Sequence, residues 1–164
     1  MRIANPKLFR RALALAMVII LADQASKWAI AGLLQEPPQM IGLTPFFNLV
    51  TAWNTGVSFS MLQGTGPWLL IVAATGVSLV LVGWLTKLAM PLPSLAVGLV
   101  IGGALGNVID RIRLGAVFDF LDFYLGDWHF PAFNLADSAI SVGVALLLFD
   151  GLFHRADQGK TEQS

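Results

Sequence analysis

From Trp68 to Thr86 the chain runs for 19 residues without a charge. A helix of that length crosses the hydrocarbon core of a bilayer, and an uninterrupted apolar run of this kind has few other uses. Three further segments are apolar enough to count as spans: Ala12–Leu34, Ser94–Asp110 and Asn134–Phe153. At 1.5 Å per residue the first of these covers roughly 34 Å, enough to cross. Only 12% of the residues are charged, against about a quarter in a soluble domain. Four spans in 164 residues leave room for one membrane-embedded domain, 1–164, and not for two. The expected architecture is a mainly α membrane protein with four transmembrane helices.

The chain begins with Arg2, Lys7, Arg10 and Arg11 ahead of an apolar run, as a signal peptide does. Asp23 and Lys27 interrupt that run and further spans follow, so it is better explained as an uncleaved first helix. Glu36-Pro37-Pro38 ends it, since proline removes a backbone donor and restricts the residue before it. Residues 35–67 form a long loop without Lys or Arg. Its PFFNLVTAWNTGVSFSML stretch is rich in aromatic and β-branched residues and carries a turn signal, which predicts short strands at the membrane surface. Met90-Pro91-Leu92-Pro93 is expected to form a turn, residues 111–133 a second loop, and the tail from His154 a frayed end. Seven of the ten Lys and Arg lie before the first span, between the second and third, or in the tail. Arg111 and Arg113 alone lie in the intervening loops, which predicts both termini in the cytoplasm and both long loops outside.

Acids beside a bilayer are costly, and they mark where function is to be sought. Five aspartates, at 110, 119, 122, 127 and 137, fall within 31 residues of a chain that has ten acidic residues in all. Helix rise puts Asp23 roughly 18 Å and Lys27 roughly 24 Å from the inner surface, in the outer half of the core. Asp110 closes the outer end of the third span and Asp137 opens the fourth, so charges from three helices meet near the outer face. Asp23 and Lys27 are four apart and can pair on one helix face. Lys27 is then either half of an ion pair that lets the helix tolerate both charges, or a positive arm that holds substrate. Gly98, Gly102, Gly106 and Asp110 repeat every four residues. The glycines admit a neighbouring helix, so Asp110, and Asn107 three residues before it, should face protein. An acid in a first helical turn, such as Asp137, is stabilised by the orphan amides there, although Asn134 and Ser138 make a polar mouth around it. Asp119 and Asp122 share the apolar stretch Phe118–Leu125, where burial should resist ionisation, and composition does not choose between them. Asp127, between Gly126 and Trp128, reads as a turn residue.

These residues restrict the chemistry. Without cysteine there are no disulfides, thiolate metal sites or thiol nucleophiles, and the chain is not itself a lipoprotein modified on cysteine. His129 and His154, one beside a loop tryptophan and one in the tail, are poorly placed for a metal site or a Ser-His pair. Zero net charge gives no electrostatic case for nucleic acid. Two aspartates sharing one proton can activate water and polarise a carbonyl with no cofactor and no metal. A small transporter subunit and a non-catalytic assembly factor are the competing readings. The first would want polar residues through the full membrane depth, and these gather at one face.

Four stretches carry a resemblance: DQASK at 23–27, NTGVSFS at 54–60, GGALGNVIDRIRLGAVFDF at 102–120 and FNLADSAISVG at 133–143. In this order and between spans, the chain resembles lipoprotein signal peptidase (signal peptidase II), the aspartyl protease family of the bacterial inner membrane. The resemblance implies a dyad of Asp119 and Asp137, with Asp23, Lys27, Asn54, Asn107, Asp110, Arg111 and Asn134 supporting or lining the site. It implies four transmembrane helices with a small extracytoplasmic β-cradle and a short surface helix. Substrates would be diacylglyceryl-modified prolipoproteins cut just before the lipidated cysteine. Sensitivity to the cyclic depsipeptide globomycin and action as a monomer within membrane lipid are further expectations.

Overall fold

The computed structural model describes residues 3–34, 40–56 and 67–161, with side chains of the last helix described as far as Leu152. Eight elements follow in order: α1 Pro6–Leu33, β1 Ile41–Thr44, β2 Phe47–Asn54, α2 Trp68–Leu85, α3 Pro91–Leu114, β3 Val117–Leu125, β4 Trp128–His129 and α4 Leu135–Thr161. All four helices are long and apolar enough to span a membrane. The expected short surface helix has no counterpart among the described residues, and residues 35–39 and 57–66 of the long loop lie outside them.

Helices α1 and α3 outrun their apolar segments for reasons of capping. α1 begins six residues before Ala12, because Asn5 accepts from the Lys7 and Leu8 amides and Pro6 takes the first helical position. Pro91 and Pro93, expected in a turn, sit instead in the first turn of α3, where a missing N–H costs nothing. α3 also carries Arg111 and Arg113, expected in a loop, through to Gly115, whose positive φ of 76° closes the helix on the Arg111 carbonyl. α4 continues through the polar tail to Thr161.

Helix α3 is the central one. Of its most apolar window 67% is buried, against 17% in each of the other three helices. The glycine stripe explains the contact on one side. A Cβ at Gly98 would lie 2.6 Å from the Ala12 carbonyl oxygen and one at Gly102 2.8 Å from that of Ala16, so α1 rides directly on α3's backbone. On the other side a Cβ at Gly103 would run into the Ala136 carbonyl oxygen, and one at Gly143 would lie 2.8 Å from the Ala96 carbonyl oxygen. These two glycines, outside the four-residue repeat, seat α4. α2 packs on α3 around Leu85, Val97 and Ile101.

The strands form one antiparallel sheet in the order β1-β2-β3-β4, so the loop expected at 111–133 holds half of it. Ala52 pairs with Asp119 and Asn48 with Asp122. β2 carries an extra residue between Leu49 and Ala52, a bulge that leaves the alternation of β3 intact. Gly126, with φ of 60°, and Asp127 turn β3 into β4, as the sequence predicts for Asp127. Phe133 bonds both ways to Leu121, at 3.0 and 2.9 Å, and this fixes the approach of α4 to the sheet.

Candidate active site

The site forms where the first turn of α4 meets β3 and the outer ends of α1 and α3. Asn134 caps α4: its Oδ1 accepts from the Asp137 amide at 2.9 Å, and Asp137 Oδ2 accepts from the Asn134 amide at 3.3 Å. This reciprocal capping box holds the Asp137 side chain at the helix mouth. With its oxygen so committed, Asn134 turns its Nδ2 to Asp119 Oδ1, at 2.6 Å, and to Asn107 Oδ1, at 3.2 Å. Asn107 Nδ2 in turn donates to Asp137 Oδ1 at 2.7 Å. Both candidate acids therefore hang on one fully buried asparagine, Asn134, and Asp119 is itself buried.

Asn54 holds the other oxygen of Asp119. Its Oδ1 accepts from the Gly56 amide at 2.8 Å, in a turn that Gly56 allows with φ of 75°, and its Nδ2 donates to Asp119 Oδ2 at 3.0 Å. Burial pushes the Asp119 carboxyl up to about 6; the neighbouring Asp137 charge adds to this, while the Asn54 and Asn134 amides and the Lys27 charge oppose it.

Lys27 organises the support. Its ammonium lies 2.8 Å from Asp23 and 2.8 Å from Asp110, and donates to Asn107 Oδ1 at 3.1 Å. An ammonium has three donors, and three buried acceptors use them. Of the two roles open to Lys27, the ion pair is thus the one its contacts fill, widened to a second acid. Asp23 also accepts from the Ala136 amide at 3.0 Å, so α1 caps α4 across the interface. Asp110 accepts from the Phe118 amide at 3.2 Å and so anchors the start of β3. Arg111 faces the same cluster, in the field of Asp137, Asp119 and Asp110. Eight of the nine expected residues form one hydrogen-bonded assembly, with Arg111 in its field but its buried Nε without a partner, and Gln24 belongs to the assembly as well. Its Nε2 donates to Asp110 at 2.8 Å and to the Gly106 carbonyl at 3.3 Å. The signal for Gln24 was its spacing, three residues before Lys27 on the same helix face.

Asp122 is held apart. Three residues from Asp119 on a regular strand, it points to the opposite face of the sheet. There it accepts from Asn48 Nδ2 at 2.9 Å and pairs with His129 Nδ1 at 2.9 Å. Burial opposes its charge, but the Asn48 and His129 contacts prevail and bring its pKa below the usual carboxylate value. Asp122→Asn should retain more than about half of any activity that depends on Asp119, as measured by initial rates on the purified protein. A loss comparable with that of an Asp119 variant would place Asp122 in the site after all.

Two clefts open on the acids. One of about 290 Å³ is lined by Asn54, Gly56, Asp119 and Ala132. The other, about 530 Å³, follows α4 along Asp137, Ser138, Ser141 and Val142, and shares Asn54 and Ala132 with the first. Among the described residues no group of three His, Cys, Asp or Glu is arranged to hold a metal.

Residues 15–153 match the family described as signal peptidase (SPase) II. The chain is 48% identical over 144 residues to a lipoprotein signal peptidase of Burkholderia vietnamiensis (strain G4 / LMG 22486), covering 85% of this chain and 86% of that one. It is 45% identical over 154 residues to a lipoprotein signal peptidase of Shewanella sp. (strain MR-4), covering 90% and 89%. A solved bacterial membrane enzyme, obtained by the in meso method at 2.3 Å, superposes with a TM-score of 0.78 at 29% identity over 90% of each chain. On that match and those identities, the chain belongs to the signal peptidase II family of proteases.

Proposed function

We propose that the chain is a single-domain aspartyl endopeptidase of the bacterial inner membrane that cuts diacylglyceryl-modified prolipoproteins just before the lipidated cysteine, with Asp119 and Asp137 as its dyad. One observation carries the assignment: Asn134 binds Asp119 through its side chain and Asp137 through its backbone amide. Two carboxyl groups tied to one residue can share a proton and split the work of an acid and a base. Asp137, as the carboxylate, takes a proton from water. The hydroxide equivalent attacks the scissile carbonyl, which Asp119 polarises with its proton. The tetrahedral intermediate collapses when the proton taken by Asp137 passes to the departing amine. Burial favours placing the shared proton on Asp119. The cleft along α4 suits an extended peptide entering sideways from the bilayer, and a lipid-bearing substrate requires the acids at headgroup depth. The distribution of Lys and Arg supports cytoplasmic termini and a site near the outer face. The chain acts as a monomer, and globomycin blocks it by occupying the dyad.

The test is cleavage of a purified precursor with and without its diacylglyceryl group, and with and without globomycin. Expected are conversion of the lipidated form only and its arrest by the inhibitor. Equal cleavage of the unmodified precursor, or none of either, overturns the proposal. The pH profile checks the proton. Asp119 holds it below about 6 and loses it as pH rises through that value, so kcat/KM of the free enzyme should fall on the alkaline side of about 6. Asn54→Ala removes a donor that favours the charged form, and should move that limb to higher pH.

A further inference from the structure

Strands β2 and β3 have a second face, and it builds another cleft, on the far side of the Lys27 cluster from the dyad. Asn54 and Asp119 serve the dyad, while their neighbours Trp53 and Phe118 stack on each other with ring centroids 5.2 Å apart and line a cleft of about 210 Å³. Its other walls are Gln24, Lys27, Trp28 and Ala31 of α1 and Asp110, Arg113 and Leu114 of α3, with the Asp110 carboxylate paired to Lys27 at 2.8 Å. Three cations lie at this end of the helices, and they differ. Lys27 is consumed by Asp23 and Asp110. Arg111 lies in the field of the dyad acids. Arg113 is exposed, its Nη1 donates to Gln24 Oε1 at 3.3 Å, and among the described residues it makes no ion pair. Trp28, at the mouth, is 84% exposed. From it an exposed apolar row, Leu21 and Met17, descends α1 at helical spacing along the bilayer-facing side.

We infer that this cleft is a binding site for an anionic phospholipid, with the phosphate against Arg113 and Gln24 and an acyl chain laid along Trp28, Leu21 and Met17. The charge selects an anion, since a guanidinium pairs its fork of donors with phosphate oxygens. The depth selects a lipid, because an arginine flanked by tryptophans at the end of a span lies at the headgroup level. The volume holds a headgroup and leaves the acyl chain to the open row below.

Thermal melting of the purified full-length protein in neutral detergent tests the site. The additions are phosphatidylglycerol, phosphatidylcholine with the same acyl chains, and glycerol 3-phosphate. Phosphatidylglycerol at saturation should raise the midpoint by roughly 5 °C more than phosphatidylcholine does. Arg113→Gln should lose at least half of that difference while melting without lipid as the wild type does. Trp28→Ala, a change at an exposed position, should weaken the response to phosphatidylglycerol and provides a second reading if Arg113→Gln proves unstable. Equal shifts with the two lipids, or a full response in both variants, overturn the inference. An equal shift with glycerol 3-phosphate also overturns it, by making the site one for free phosphate.

Discussion

Asp119→Asn and Asp137→Asn should each lower cleavage of a lipidated precursor by roughly 10³-fold or more, with the double variant little worse than either single one. On the proposed mechanism the two acids act as one unit, so removing either leaves the other with no proton to share. Both variants also have structural consequences. An asparagine at position 137 can keep its oxygen for the Asn134 amide, but its NH2 then faces Asn107 Nδ2, whose own oxygen is held by Lys27 and Asn134. An asparagine at position 119 must present its NH2 to one of two amide donors, Asn54 or Asn134, whose own oxygens are fixed by backbone N–H groups. Both variants should therefore lose some stability as well, and their melting points must be read beside their rates. Cleavage at the wild-type rate by a folded Asp119→Asn protein would sink the dyad.

The largest effect on stability is expected from Lys27→Met. Methionine fills much of the space but leaves Asp23 and Asp110 buried without a counter-charge, and Asn107 without its donor. Breaking a buried ion pair on one side costs about 3–5 kcal/mol, most of it the cost of the stranded acid. Unfolding in mixed micelles should show a loss of that size. Adding Asp23→Asn and Asp110→Asn to the same chain should recover much of it, since amides need no counter-charge. A Lys27→Met protein as stable as the wild type would show that the acids are not ionised together. Lys27→Arg is not a substitute, because a planar fork does not reach three acceptors arranged around one ammonium.

The spans were legible because apolar length is a one-dimensional signal, and α2 begins where its apolar run begins, at Trp68. Helix ends were less so. Asn5, Pro91 and Gly115 set them by capping, which overrides the charges at 7–11 and 111–113. The stripe at Gly98, Gly102 and Gly106 announced one contact of α3, whereas Gly103 and Gly143 are isolated glycines whose partner depends on how α4 is placed. VFDFLDFYL reads as loop while its acids are weighed above its aromatics; as a strand it puts Asp119 and Asp122 on opposite faces, which composition could not do. The convergence of Asp23, Lys27, Asp110 and Asp137 was legible from depth alone. That Lys27 has no donor left over was not, because saturation is a property of contacts.

The Asn134 bridge has a consequence for how the protein comes into being. It joins α3, β3 and the head of α4, so the two acids are brought together only when the last span has docked. A chain inserted from its N-terminus passes most of its synthesis with no competent partner beside Asp119. On the proposed dyad, the capacity to cut therefore arrives only at the end of assembly, in one step.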